Sequence, residues 1–203
     1  VVDSSRVVYH SMNEQVITTK KNPKTKSVVL TFDDGPGRVL PSLLDILSKE
    51  KVPATFFWQS RLLFQQRPWK RVLDDGHQIG THSTKHVNLA KLSFNEQYAD
   101  IAGSVEKMES ITGMEITYFR PPFGQYNNDT LAVAETLNLI PVMWKISSMD
   151  WELKNNPEQI VENVVQHLED GAIILLHELP QTLEALPNLI REIRARGYQF
   201  TNL

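Results

Sequence analysis

The sequence predicts an α/β fold: a closed or nearly closed (β/α) barrel of about seven strands in one domain, with an open doubly wound sheet as the alternative. Three observations predict it. From Ser27 onward, short apolar runs alternate with segments of helical periodicity, the pattern that parallel strands and their crossovers produce. Some runs, Ile173–Leu176 above all, are apolar at every position, which fits burial on both faces. Finally, no repeat, low-complexity tract or linker divides the 203 residues, a length suited to one domain with a substantial core.

The elements follow in order. Residues 1–26 are polar and weakly patterned, with at most a short strand near Val7–Tyr9; they read as an N-terminal extension packed on or leading into a barrel of residues 27–203. Lys20, Lys21, Lys24 and Lys26 read as a solvated loop. Val28–Leu30 begins the first strand, which ends at Asp33-Asp34 and is stopped by Gly35-Pro36-Gly37. Val39, Leu40, Leu43, Leu44 and Leu47 mark a helix, and Ala54–Gln59 is the second strand. Pro68 opens a helix to Asp75, with Gly76 as its stop, and His77–His82 is the third strand. Ser93 and Glu96 form a capping box for a helix running to Thr112, closed by Gly113. Thr117–Arg120 is strand four, Asn128–Asn138 a helix, and Ile140–Ile146 strand five. Asn156-Pro157 opens a helix that closes at Gly171; Ala172–Leu176 is strand six. A last helix, kinked or begun at Pro187, reaches Gly197, and Tyr198–Leu203 ends the chain.

Composition excludes several function classes. Hydrophobic residues are 41% and charged residues 22%, ordinary for a soluble globular protein. A formal net charge of -3, with no basic stretch interleaved with aromatics, argues against a nucleic-acid partner. No apolar run reaches membrane-spanning length. The chain opens Val1-Val2-Asp3 rather than with Met, so an export or anchoring segment is expected to have been trimmed. The absence of cysteine decides no compartment, and a monomer is expected.

In parallel α/β folds the chemistry sits at the C-terminal ends of the strands. Strand one ends in Asp33-Asp34, strand three in His82 with His86, strand four in Arg120-Pro121-Pro122-Phe123-Gly124, strand five leads to Asp150-Trp151, and strand six ends in His177. Adjacent acids on a strand point to opposite faces, so one can hold a metal while the other handles a proton. His82 and His86, four apart, would face the same way on a helical turn, which suits two imidazoles on one metal with open positions. Zinc is the default ion, with Fe(II) and cobalt as alternatives. Arg120 can hold Asp33 ionised, the rigid Pro121-Pro122 turn can aim the Phe123 N–H at an oxyanion, and Asp150 can orient His177. Trp58, Trp144 and Phe57 read as core, and Trp151 as a wall against a sugar ring.

These motifs together resemble the polysaccharide deacetylases, carbohydrate esterase family four. Thr31-Phe32-Asp33-Asp34-Gly35, His82-Ser83-Thr84-Lys85-His86, Arg120-Pro121-Pro122-Phe123-Gly124, Asp150-Trp151 and Leu175-Leu176-His177 stand in that family's order across residues 27–203. The resemblance implies a distorted barrel and a divalent metal, usually zinc, on Asp34, His82 and His86. It implies Asp33 as general base steadied by Arg120, His177 as general acid tuned by Asp150, the Phe123 N–H at the oxyanion, and Trp151 and Leu175 shaping the acetyl pocket. The implied substrate is an acetylated amino-sugar polymer, peptidoglycan or chitin-like, at the cell envelope or outside the cell. An O-acetyl esterase on acetylated glycan and a glycan-binding pseudoenzyme are the competing readings. One position departs: Ser147 stands where the family's fourth motif commonly opens with an acid.

Overall fold

β1 (Ser27–Asp33) is the centre of the molecule and is buried at every position. In this computed structural model, which describes residues 3–203, β1 pairs in parallel with β2 (Ala54–Trp58) and with β7 (Ile173–His177). The first two residues of the expected extension lie outside the described residues. Outward from β2 come β3 (Gln78–Thr81), β4 (Tyr118–Phe119) and β5 (Ile140–Pro141); outward from β7 comes β6 (Ile146–Ser147). The order is β5-β4-β3-β2-β1-β7-β6, every pairing is parallel, and β8 (Gln199–Phe200) joins the start of β1.

This sheet curls into a distorted (β/α) barrel, as chain connectivity requires. Pro141 and Ile146 lie on opposite edges of the sheet. Five residues span at most about 18 Å, whereas six interstrand steps in a flat sheet would separate the edges by about 29 Å. The remaining gap is laced by the N-terminal segment. Ile17 N–H donates to Pro141 O (3.0 Å) and Met143 N–H to Ile17 O (2.8 Å) on one edge, while Ile173 N–H donates to Thr18 O (3.2 Å) on the other.

Helices cover the outside. α2 (Leu40–Glu50) buries Leu40, Leu43, Leu44 and Leu47, each worth about 1.5–3 kcal/mol. α7 (Pro180–Ala195) packs between α2 and α6 (Pro157–Val165). α4 (Phe94–Thr112) has the predicted capping box, and Gly113 ends it at φ 68°. α3 (Trp69–Asp74) and α5 (Asn128–Thr136) complete the set.

Four expectations need correction. Strand five is two strands, β5 and β6, because Pro141 lacks an N–H and the carbonyls of Val142 and Met143 turn to Arg120 instead of a ladder. Of the two expectations for the last helix, a start at Pro187 is overturned: it begins at Pro180, and Pro187 lies inside it. The helix expected to close at Gly171 ends at Val165. Near Val7 the chain forms a short helix, α1 (Ser4–Val7), capped by Asp3, with a single bridge from Val8 to Ile146.

Candidate active site

The register of β1 places Asp33 level with His177 of β7 and Phe57 of β2. Asp33 is buried, and Arg120 Nη1 donates to its Oδ1 at 2.8 Å. Arg120 itself has no solvent exposure and spends its other donors on Thr31 Oγ1 (2.7 Å), Val142 O (3.2 Å) and Met143 O (2.8 Å). Its guanidinium lies over the Phe57 ring, 4.4 Å from the centroid. A planar fork with this many acceptors fixes Asp33 in one orientation.

Asp34 leaves the strand at φ 76°, and its carboxylate turns away from Arg120 toward two imidazoles. Its Oδ1 stands 3.2 Å from His86 Nε2 and 3.4 Å from His82 Nε2, and the three donor atoms lie within 4.8 Å of one another. His82 Nδ1 donates to Arg120 O at 2.7 Å, which leaves its Nε2 lone pair facing Asp34. The histidine spacing works differently from the helical turn expected of it. Residues 82–86 form a loop in which Ser83 (φ 67°) and His86 (φ 59°) are left-handed and Ser83 Oγ accepts from His86 N–H at 2.9 Å. Burial raises the Asp34 pKa, but the imidazoles of His82, His177 and His86, where protonated, bring it down to about 2. Burial first, then the charge of His82, lowers His86.

His177 faces this group from β7, with Nε2 3.8 Å from Asp34 Oδ2. Its Nδ1–H donates to Asp150 Oδ1 at 2.7 Å, and its backbone N–H donates to Asp150 Oδ2 at 2.7 Å. Asp150, fully buried, also receives Thr182 Oγ1–H on Oδ2 at 2.5 Å, while Gln181 donates to its carbonyl at 3.0 Å. Burial opposes the charged imidazole, yet the Asp150 hydrogen bond and charge, with Asp33 and Asp34, raise it to about 9. At neutral pH His177 therefore holds a proton on Nε2. Ser147 is buried and accepts from Met149 N–H at 3.3 Å, shaping the turn before Asp150 without lining the cavity.

Asp33, Asp34, His82, His86, Phe123, Trp151, Leu175 and His177 line one cavity of about 480 Å³, with Arg120 and Asp150 buried behind it. Phe123 and Trp151 are exposed at its rim; Phe123 packs edge-on to His86 at 4.5 Å and Trp151 edge-on to His177 at 5.2 Å. Two participants escaped the sequence reading. Trp144, taken as core, lines the cavity. Glu178, without any motif of its own, accepts from Gly37 N–H (3.0 Å) and Trp58 Nε1–H (2.8 Å), and its N–H donates to Asp33 O (3.2 Å). A Cβ on Gly35 would overlap the Glu178 carboxyl, so a larger residue there would push Glu178 off Gly37 and Trp58. Burial raises Glu178 to about 7 against the pull of those two N–H donors. The only sequence signal for Glu178 was its place beside His177.

The family model for polysaccharide deacetylase matches residues 20–142. The peptidoglycan-N-acetylglucosamine deacetylase PgdA of Listeria monocytogenes is 34% identical over 198 residues, covering 96% of this chain but 42% of its own length. The chain thus spans about two fifths of that relative. The crystal structure of the peptidoglycan N-acetylglucosamine deacetylase Bc1960 superposes with a TM-score of 0.85 at 30% identity, covering 93% of this chain and 91% of that one. BA3943 of Bacillus anthracis, described as a pseudoenzyme of the same esterase family, gives a TM-score of 0.83 at 28% identity, covering 93% of this chain and 67% of that one. A mutant of BA3943 is described as having restored enzymatic activity.

Proposed function

The chain belongs to the polysaccharide deacetylase family, and from that premise we propose that it is a metal-dependent hydrolase removing N-acetyl groups from acetylated amino-sugar polymers, peptidoglycan glycan first and chitin-like chains second. The observation that carries the reading is the pair of proton-transfer groups in one cavity. Asp33, oriented by Arg120, and His177, oriented by Asp150, flank the Asp34, His82 and His86 donor set. In this reading residues 27–203 are the catalytic domain and residues 1–26 an extension of it. The substrate puts its action at the cell envelope.

The donor set fits a divalent cation on a structural ground. Asp34 Oδ1 is buried without a hydrogen-bond partner, between two imidazole nitrogens. A carboxylate and two imidazoles suit zinc, with cobalt able to substitute. When bound there, such an ion supplies Lewis acidity toward the acetyl carbonyl and lowers the pKa of water. The protein residues do the rest. Asp33 accepts the proton of the attacking water, and Arg120 keeps its carboxylate aimed. The Phe123 N–H meets the charge developing on the carbonyl oxygen. His177 gives its Nε2 proton to the departing amine nitrogen, and Asp150 supports the imidazolium. Trp151 and Leu175 bound the acetyl group.

An O-acetyl esterase would use the same groups, but a sugar amine leaves only when protonated, and the buried Asp150 carboxylate on His177 Nδ1–H favours the imidazolium that step needs. A glycan-binding pseudoenzyme has no use for both oriented proton carriers. The deciding experiment is acetate release from acetylated chito-oligosaccharide, peptidoglycan and acetyl-xylan, before and after chelation and zinc or cobalt re-addition. Asp33→Asn should keep its metal and lose about 10²–10⁴ in rate. His177→Ala should lose far more on the amide than on nitrophenyl acetate. Equal losses would remove His177 from the leaving-group role, and no acetate from any glycan would remove the function.

A further inference from the structure

The N-terminal segment does not itself line the cavity, yet it holds the wall that does. Trp144 lines the cavity between β5 and β6, in a crossover that no sheet ladder immobilises on its own. Tyr9 packs on it from behind, with ring centroids 5.6 Å apart and planes tilted 44°. The same crossover is gripped through its backbone, because Tyr9 N–H donates to Lys145 O (2.9 Å) and Met143 N–H to Ile17 O (2.8 Å). Toward the cavity, Trp144 abuts the turn that carries Phe123. A Cβ on Gly124 would come within 2.7 Å of Trp144 Cη2 and 3.0 Å of Met143 Cε. Phe123 itself is left-handed (φ 60°) and 62% exposed, so Trp144 and Met143 form the packed side of a turn whose other face is open to the cavity. The contacts form a line: Tyr9 supports Trp144, and Trp144 supports the Phe123 turn.

We propose that Tyr9 is a positioning residue for the glycan pocket, and that the N-terminal segment thereby sets the width of the pocket wall. This rests on reading the cavity as a deacetylase site. The ring makes the contact with Trp144, whereas the hydroxyl bonds to Tyr126 and Ser11. Loss of the ring lets Trp144 move into the space behind it, which widens the wall without touching Asp33, His177 or the donor set.

Two measurements on the 203-residue chain test this. The first needs no substrate: the indole N–H resonance of Trp144, assigned by its disappearance in Trp144→Phe, should shift and broaden in Tyr9→Ala and stay in place in Tyr9→Phe. The second is acetate-release kinetics on acetylated chito-oligosaccharide with metal content matched. Tyr9→Ala should raise KM about five- to tenfold, the scale of a lost aromatic contact, and lower kcat as well, because the Phe123 N–H rides on the supported turn. Tyr9→Phe should match wild type. If Tyr9→Ala does not fold, Tyr9→Leu takes its place in both arms. A Trp144 resonance that does not respond overturns the proposal, as does a moved resonance with unchanged KM in an active enzyme. A wild type that releases no acetate retires the deacetylase reading instead, and the resonance still decides whether Tyr9 positions Trp144.

Discussion

Replacing Arg120 tests the architecture of the site most severely, because one side chain joins the base, β1 and the β5–β6 crossover. Arg120→Leu leaves Asp33 buried without its cation and strips donors from Thr31 Oγ1, Val142 O and Met143 O. Removing one partner of a buried ion pair costs about 3–5 kcal/mol, and an orphaned buried acceptor about 1–3 kcal/mol more. Some acceptors will be rewetted, so a total of about 4–6 kcal/mol is expected, a large share of the ~5–15 kcal/mol that holds a domain together. Arg120→Lys separates charge from geometry. The ammonium can still meet Asp33, but a single nitrogen cannot also serve the Val142 and Met143 carbonyls that Nε and Nη2 reach on another edge of the guanidinium. We expect a loss of about 2–3 kcal/mol for the lysine variant, from two weakened hydrogen bonds to charged or buried groups, and a drop in kcat from a base no longer aimed. Guanidinium denaturation at fixed pH and metal concentration gives the first quantity, and acetate-release kinetics the second. An Arg120→Lys variant within about 1 kcal/mol of wild type with unchanged kcat would show that the fork geometry is immaterial and refute the reasoning.

Three further outcomes follow from individual contacts. His177, raised to about 9 by Asp150 against burial, should define the alkaline limb of kcat/KM, with a bound cation pulling that limb below 9. Asp150→Asn should move it further down, and an unmoved limb would mean another group titrates there. His77 is buried, its Nδ1 accepts from Ala54 N–H at 3.1 Å, and burial lowers its pKa below the ordinary 6.5. The neutral ring is the folded form, so its contribution to stability is complete above the unfolded value of 6.5 and fades as pH falls through the folded one. The gap in urea midpoint between wild type and His77→Gln should narrow as pH is lowered from neutrality, and a constant gap would contradict this. Glu178→Ala releases Gly37 N–H and Trp58 Nε1–H beneath the turn that presents Asp34. Metal affinity should weaken about 10–100-fold, the usual effect of a lost supporting contact, with Glu178→Gln intermediate. Wild-type affinity in the alanine variant would leave Glu178 a packing residue.

The sequence announced those parts of the fold whose causes are local. Ser93 and Glu96 satisfy each other across one turn, and Gly113 permits the left-handed stop, so both ends of α4 were legible from a few letters. The strand ends were legible because buried apolar runs and abrupt polar stops are also local. His82 and His86 were correctly brought together for the wrong reason, since their spacing matched a helical turn while the chain makes a loop with two left-handed residues. Periodicity arguments assume a regular backbone, and a site loop is where that assumption fails. The first turn of α7 was hidden for a related reason. Gln181 and Thr182 are polar yet buried, because they serve Asp150, so the apolar stripe became visible only at Leu186.

What sequence could least supply was the closure of the barrel. Ile17, Thr18 and Lys20 reach Pro141, Gly171 and Ile173 through backbone N–H and C=O groups, which every residue carries alike. No side-chain pattern marks them, so a segment that laces two sheet edges reads as polar and featureless. The same blindness left strand five in one piece: the carbonyls of Val142 and Met143 serve Arg120, and a carbonyl's partner is invisible in its own residue's name. Arg120 therefore had to be found twice. Its place at a strand end showed that it belongs to the site. Only the fold shows that one guanidinium ties the base on β1 to the crossover that carries Trp144, so that barrel closure and pocket shape depend on a common set of hydrogen bonds.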